Sequence, residues 1–216
     1  PLGKNLKARG NVESWLTSVE EYMVKSLREF TKIGCGEFEE QERVPWVKTH
    51  IAQIVLTVAC IYWAKEVEGR LTDETDGVDR VAALDDYNKT QVEELNESAR
   101  QVGGKLSKLE RATFVALITG DVHNRDIVAQ MVREKVDSLG SFTWQMQLRF
   151  YWDANADDCV VRQVNSALFY GYEYQGALSR LVVTPLTDRC WMTITGALHV
   201  GLGGAPAGPA GTGKTE

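Results

Sequence analysis

Apolar residues return every three or four positions through most of this chain, and that period restricts the fold more than any other feature. Trp15, Val19, Tyr22, Met23, Leu27 and Phe30 make one such stripe, with Gly34 and Gly36 placed to end it. Pro45 suits the start of a second helix, which the pattern carries through Val47, Ile51, Ile54, Val55, Val58 and Tyr62. A third helix is predicted over residues 81–102, through Leu84, Tyr87, Val92, Leu95 and Ala99, with Gly103 and Gly104 breaking it. A fourth, and then a fifth, follow Leu106, Leu109, Phe114, Leu117 and Ile118, and Ile127, Val128, Met131, Val132 and Val136. Between the second and third lies "EGRLTDETDGVDR", polar and acidic, which reads as an exposed loop. Amphipathic helices in series with short connections pack as an antiparallel bundle or a stacked array.

Near residue 141 the pattern changes. "FTWQMQLRFYWD" is dense in aromatics and suits a short buried helix. "CVVRQVNSALFYGYEY" and "RLVVTP" collect β-branched and aromatic residues and read as two or three short strands. A helix is then predicted through about His199, capped by Thr187 or Asp188. The fold class expected is mainly α, with a few short strands late in the chain.

Charge and composition exclude several functions. The 216 residues carry a net charge of -6, which disfavours a nucleic-acid binder or an anionic membrane surface as partner, since both need a basic face. The run at 51–64 is the most apolar, but it contains Gln53 and Thr57 and is too short to span a bilayer. Cys35, Cys60, Cys159 and Cys190 are scattered, as are His50, His123 and His199, so neither a zinc site nor a disulfide framework is expected. The helical region holds no catalytic set; its acids and bases alternate in sign as on solvated faces.

The last nine residues, "GPAGTGKTE", fit G-x-x-x-x-G-K-[ST], with Gly208, Gly213, Lys214 and Thr215 at the fixed positions. Glycines let the backbone curl so that its N–H groups can face phosphate oxygens. The lysine supplies an ammonium for the terminal phosphates and the threonine a hydroxyl for Mg²⁺. Two readings are open at this point: a nucleotide loop, or a flexible Gly/Ala/Pro tail on a non-enzymatic helical interaction module. A first residue other than Met and an end inside a motif point to a segment of a longer polypeptide.

Several blocks taken together resemble dynein heavy chains. "RLVVTPLTDRCWMTITGALHVGLGGAPAGPAGTGKTE" is similar to the junction of the linker and the first AAA+ module. "GKLSKLERATFVALITGDVHNRDIV", "FTWQMQLRFYWD", "VNSALFYGYEYQG" and "QIVLTVACIYWAKEVE" are similar to the preceding linker. The resemblance covers residues 12–216, and the wording of the glycine-rich end is closer to axonemal than to cytoplasmic members.

The resemblance implies an ATP-driven, minus-end-directed microtubule motor of cilia or flagella. Residues 1–140 would be the C-terminal part of its helical linker. Residues 141–216 would be the junction and the start of an α/β AAA+ module. It implies that Gly208, Pro209, Ala210, Gly211, Thr212, Gly213, Lys214 and Thr215 hold ATP or ADP, with Thr215 on Mg²⁺ and Pro185 and Leu186 beside the adenine. Asp188 and Arg189, in the same block, are expected in helix capping and local pairing. Microtubules, reached through other parts of the parent, would be partners, as would other heavy, intermediate and light chains and axonemal docking structures. Hydrolysis also needs an acidic Walker B pair, sensors and a neighbour's arginine, so these residues alone are expected to be inactive. A hinge responsive to the nucleotide is expected near residues 139–158.

Overall fold

The computed structural model describes residues 7, 10–73, 78–177, 180–212 and 214. Among them are seven helices and one three-stranded sheet. None of these helices is long and apolar enough to cross a membrane.

Helix α1 (Val12–Phe38) runs straight through Gly34 and Gly36 instead of ending there. Its first half buries nothing; Ser26, Leu27, Thr31 and Gly34 are its buried residues. Helix α2 (Arg43–Thr49) is only seven residues long, and the expected single second helix is two. The break has a local cause. Thr49 Oγ1 donates to the Trp46 carbonyl at 2.9 Å, and His50 Nδ1 lies 3.0 Å from the same oxygen. Side chains therefore satisfy a carbonyl the helix would otherwise need to continue. His50 turns extended, and α3 (Ala52–Leu71) starts afresh.

Helix α3 has twelve buried residues spread around it rather than along one stripe, so it forms the axis of the core. Helix α4 (Arg80–Gly103) is capped by Asp79, whose carboxylate accepts from the amides of Val81 and Ala82 at 3.0 and 3.2 Å. Helix α5 (Lys108–Arg133) opens with a capping box between Ser107 and Glu110, and it unites the two helices expected there.

The aromatic stretch divides. Phe142–Gln145 forms a single turn, α6, and Arg149–Asp153 forms strand β1. With β2 (Asp158–Gln163) and β3 (Ser166–Phe169) it makes an antiparallel sheet in the order β1-β2-β3, with Tyr151 opposite Val160 and Val161 opposite Leu168. The expected strand at "RLVVTP" does not form. Leu181 and Val182 are 60% and 73% exposed, and a strand needs a paired neighbour, not propensity alone.

Two apolar clusters share α3. The first joins its N-terminal half to α1, α2, α5 and the sheet, through Leu27, Trp46, Ile54, Val58, Phe114 and Cys159. The second joins its C-terminal half to α4, α5 and α6, through Trp63, Val67, Leu84, Val128, Met131 and Trp144. Glu68 of α3 ties the aromatic stretch down: its Oε1 accepts from Trp144 Nε1 at 3.2 Å and from the Tyr151 hydroxyl at 2.6 Å. Residues 139–158 are thus packed into the helical body rather than strung as a bare junction.

A half-buried ion group crosses the same body. Arg43 of α2 pairs with Glu94 of α4 and, at 2.5 Å, with Asp121 of α5. Against the loss of hydration on burial, Asp121 and Glu94 hold the guanidinium above its ordinary value. Burial pushes the Asp121 carboxyl up to about 6, with Arg43 opposing. The folded chain therefore binds this proton more tightly than the unfolded chain, whose carboxyl titrates near 3.8. That contribution to stability is fully present below about pH 4 and is lost as pH rises through about 6. Wild type should lose about 2 kcal/mol relative to Asp121→Asn between pH 4 and pH 7, read by urea unfolding at each pH. A difference that stays flat across that range would refute the shift.

Candidate nucleotide-loop site

Helix α7 (Pro185–His199) leads into the glycine-rich end. Its N-cap is Thr184, not the expected Thr187 or Asp188. Thr187 has the reciprocal role: its amide donates to Thr184 Oγ1 at 3.4 Å, and its hydroxyl accepts from the Thr184 amide at 3.3 Å. Pro185 follows the cap at the first helical position, where its missing N–H loses no bond. Pro185 and Leu186 sit together on the exposed start of the helix, Leu186 at 70% exposure, so an apolar surface is presented there.

No residue of α7 is buried, and its polar ties to the body are few. Thr195 Oγ1 donates to Gln163 Oε1 of β2 at 2.8 Å. Asp188 Oδ1 lies 3.9 Å from His123 Nε2 of α5. Burial raises the Asp188 carboxyl and lowers the His123 imidazole, and each opposes the other's shift. Asp188 thus faces a residue of α5 65 positions away; the pairing is not local, and Thr184 rather than Asp188 caps the helix. The Arg180 guanidinium passes 3.4 Å from where a side chain on Gly120 would begin.

The helix ends in a Schellman motif. The Leu202 amide donates to the Ala197 carbonyl at 2.8 Å and the Gly201 amide to the Leu198 carbonyl at 3.1 Å, with Gly201 at φ +77°. The chain then doubles back over α7. A side chain at Gly204 would meet Ile194 Cγ1 at 3.3 Å, so the two segments pass closely and Ile194 would have to give slightly.

Residues 208–212 curl next. Gly211 is left-handed at φ +76°, and the Thr212 hydroxyl donates to the Pro209 carbonyl at 2.8 Å. Lys214 Nζ donates to the carbonyls of Gly208, at 2.9 Å, and Pro209, and lies 3.3 Å from Thr212 Oγ1. The structure thus brings Gly208, Pro209, Thr212 and Lys214 into one exposed turn around an ammonium, with Ala210 and Gly211 closing it. Gly213 and Thr215, and with Thr215 the Mg²⁺ contact, lie outside the described residues. In this arrangement the Lys214 ammonium and the Thr212 hydroxyl both donate to carbonyls of the loop itself.

A helical body closed by a small sheet, then a capped helix and a curled glycine-rich loop, is a mainly α arm entering a P-loop module of the AAA+ type. Comparison with known proteins agrees. The family described as the hydrolytic ATP binding site of the dynein motor region matches residues 170–216. Human dynein axonemal heavy chain 6 is 51% identical over 216 residues, all of this chain and 5% of that protein. Human dynein axonemal heavy chain 2 is 43% identical over 210 residues, 96% of this chain and 5% of that protein. The dynein-1-beta heavy chain of the flagellar inner arm I1 complex of Chlamydomonas reinhardtii is 40% identical over 216 residues, all of this chain and 5% of that protein. The chain belongs to the dynein heavy-chain family, with axonemal heavy chains as its relatives. It spans about 5% of the length of these relatives.

Proposed function

We propose that these residues are the end of the linker and the entry to the first AAA+ module of an axonemal, ATP-driven, minus-end-directed microtubule motor. The observation that carries this reading is the P-loop of residues 208–215 lying within a stretch, 170–216, that matches the dynein ATP-binding family. A chance glycine-rich tail on an interaction module would have no reason to match there.

In this reading Gly208, Pro209, Ala210, Gly211, Thr212, Gly213 and Lys214 hold the phosphates of ATP or ADP, and Thr215 holds Mg²⁺. Pro185 and Leu186 offer the adenine an exposed apolar contact. ATP supplies the free energy when bound; Lys214 places positive charge where the terminal phosphates lie, and the loop amides add their dipoles. The two-part organisation is retained. Residues 1–140 are the linker side and residues 141–216 the junction and start of the nucleotide module; β1 packs on α3, while β2 and β3 also meet α7, as a junction should. Partners in this reading are the microtubule, reached through other parts of the parent, further dynein chains and axonemal docking structures, with the axoneme as location. These 216 residues alone lack the parts that hydrolysis needs and are inactive.

The test is gliding of microtubules over the purified parent heavy chain. ATP-dependent gliding with the plus end leading is expected, because anchored motors that step toward the minus end drive the filament the opposite way. A folded parent that hydrolyses no ATP and moves no microtubules overturns the reading.

A further inference from the structure

Gln53 is a polar residue in the most apolar run of the chain, and it is 4% exposed. Its amide is fully engaged, and every partner lies in one distant segment. Nε2 donates to the Tyr170 hydroxyl at 3.0 Å and to the Glu173 carbonyl at 2.7 Å, while Oε1 accepts from the Gln175 amide at 3.0 Å. Residues 170–176 form neither helix nor strand, so their backbone groups need partners from elsewhere. Gln53 supplies two of them, as a neighbouring strand would.

The same segment is fastened a second time. Tyr172 is 3% exposed, and its ring meets Tyr170 edge-on at 5.0 Å. Its hydroxyl donates to Asp158 Oδ1 at 2.8 Å and accepts from the Cys159 amide at 3.0 Å. Its backbone is left-handed at φ 51°, a conformation a bulky residue keeps only where its surroundings hold it. Beyond Gln175 the attachment thins: Gly176 turns at φ +64°, and α7 has no buried residue.

We infer that Gln53 is a positioning residue which clasps the connector to α3, so that movement of the nucleotide-loop unit is delivered to the helical body. The transmission part of this inference rests on the motor reading; the clasp itself does not. Without the clasp, residues 173–176 join a slack segment, and displacement of α7 is taken up there before it reaches α3.

Two variants of the full heavy chain test it. Gln53→Met keeps the length and removes all three bonds. Gln175→Pro removes one N–H from an exposed residue and leaves α3 untouched, so it answers even where the core variant folds poorly. Hydrogen exchange of the amides at 171–175 should quicken about tenfold or more in Gln53→Met, and Gln175→Pro should quicken its neighbours, with β2 unchanged in both. ATP turnover should stay within about twofold of wild type while gliding velocity falls several-fold. Unchanged exchange overturns the clasp. Unchanged velocity, or velocity and turnover falling in parallel, overturns the transmission role, since a merely structural residue would act in one of those ways. A wild-type parent that does not glide refutes the motor reading, and exchange then decides the clasp alone.

Discussion

Lys214→Ala in the parent heavy chain should lower steady-state ATP turnover by about 100-fold or more, as loss of one preorganised charged donor to developing charge does elsewhere. The side chain is exposed, and its present partners are loop oxygens, the Gly208 and Pro209 carbonyls and Thr212 Oγ1. Removing it therefore leaves no buried group unpaired, and the melting temperature should not move. Loss of turnover with unchanged stability separates a role at the phosphates from a role in folding. Lys214→Arg should fail to restore turnover, because a planar fork cannot replace a compact ammonium inside a tight loop. Turnover that survives Lys214→Ala, measured as phosphate release, would remove Lys214 from the site.

Gly34→Val and Gly36→Ala should change stability in opposite directions, although the two glycines are two residues apart on one helix. A side chain at Gly34 would begin 2.9 Å from Ile54 Cγ2 and 3.4 Å from Val58 Cγ2. Both neighbours are buried, at 1% and 0% exposure, and neither methyl can move aside. The carbonyl of Gly34 also accepts from Trp46 Nε1 at 3.2 Å, so a retreat of α1 would strip a buried indole of its partner. Overpacking of this kind should cost about 3 kcal/mol. Gly36 has nothing within 4 Å of a built side chain, and there alanine should gain about 0.5–1 kcal/mol by helix propensity alone. Urea unfolding of the two variants beside wild type checks both signs; a destabilised Gly36→Ala or a neutral Gly34→Val would contradict this packing.

These two glycines also show where local pattern stops being informative. Read as helix terminators, they are helix interior, because at Gly34 the missing side chain lets α1 approach α3. The cap of α7 is legible in the sequence: a threonine directly before a proline, Thr184 and Pro185, is the N-cap and first-turn signature. Gln53 stood out in the sequence as a polar residue in an apolar run, but its partners lie 117 to 122 positions later, where no period or propensity could connect them.

What the sequence determined by itself is what depends on near neighbours. The three-to-four period set most of the helices, and the spacing of Gly208, Gly213, Lys214 and Thr215 marked the loop. Tertiary structure alone decided where α1 ends, that the sheet lies on α3, that "RLVVTP" stays unpaired, and that the connector is held by Gln53 and Tyr172. Each of those outcomes turns on excluded volume or hydrogen-bond pairing between residues far apart in the chain, and such contacts exist only once the chain has packed.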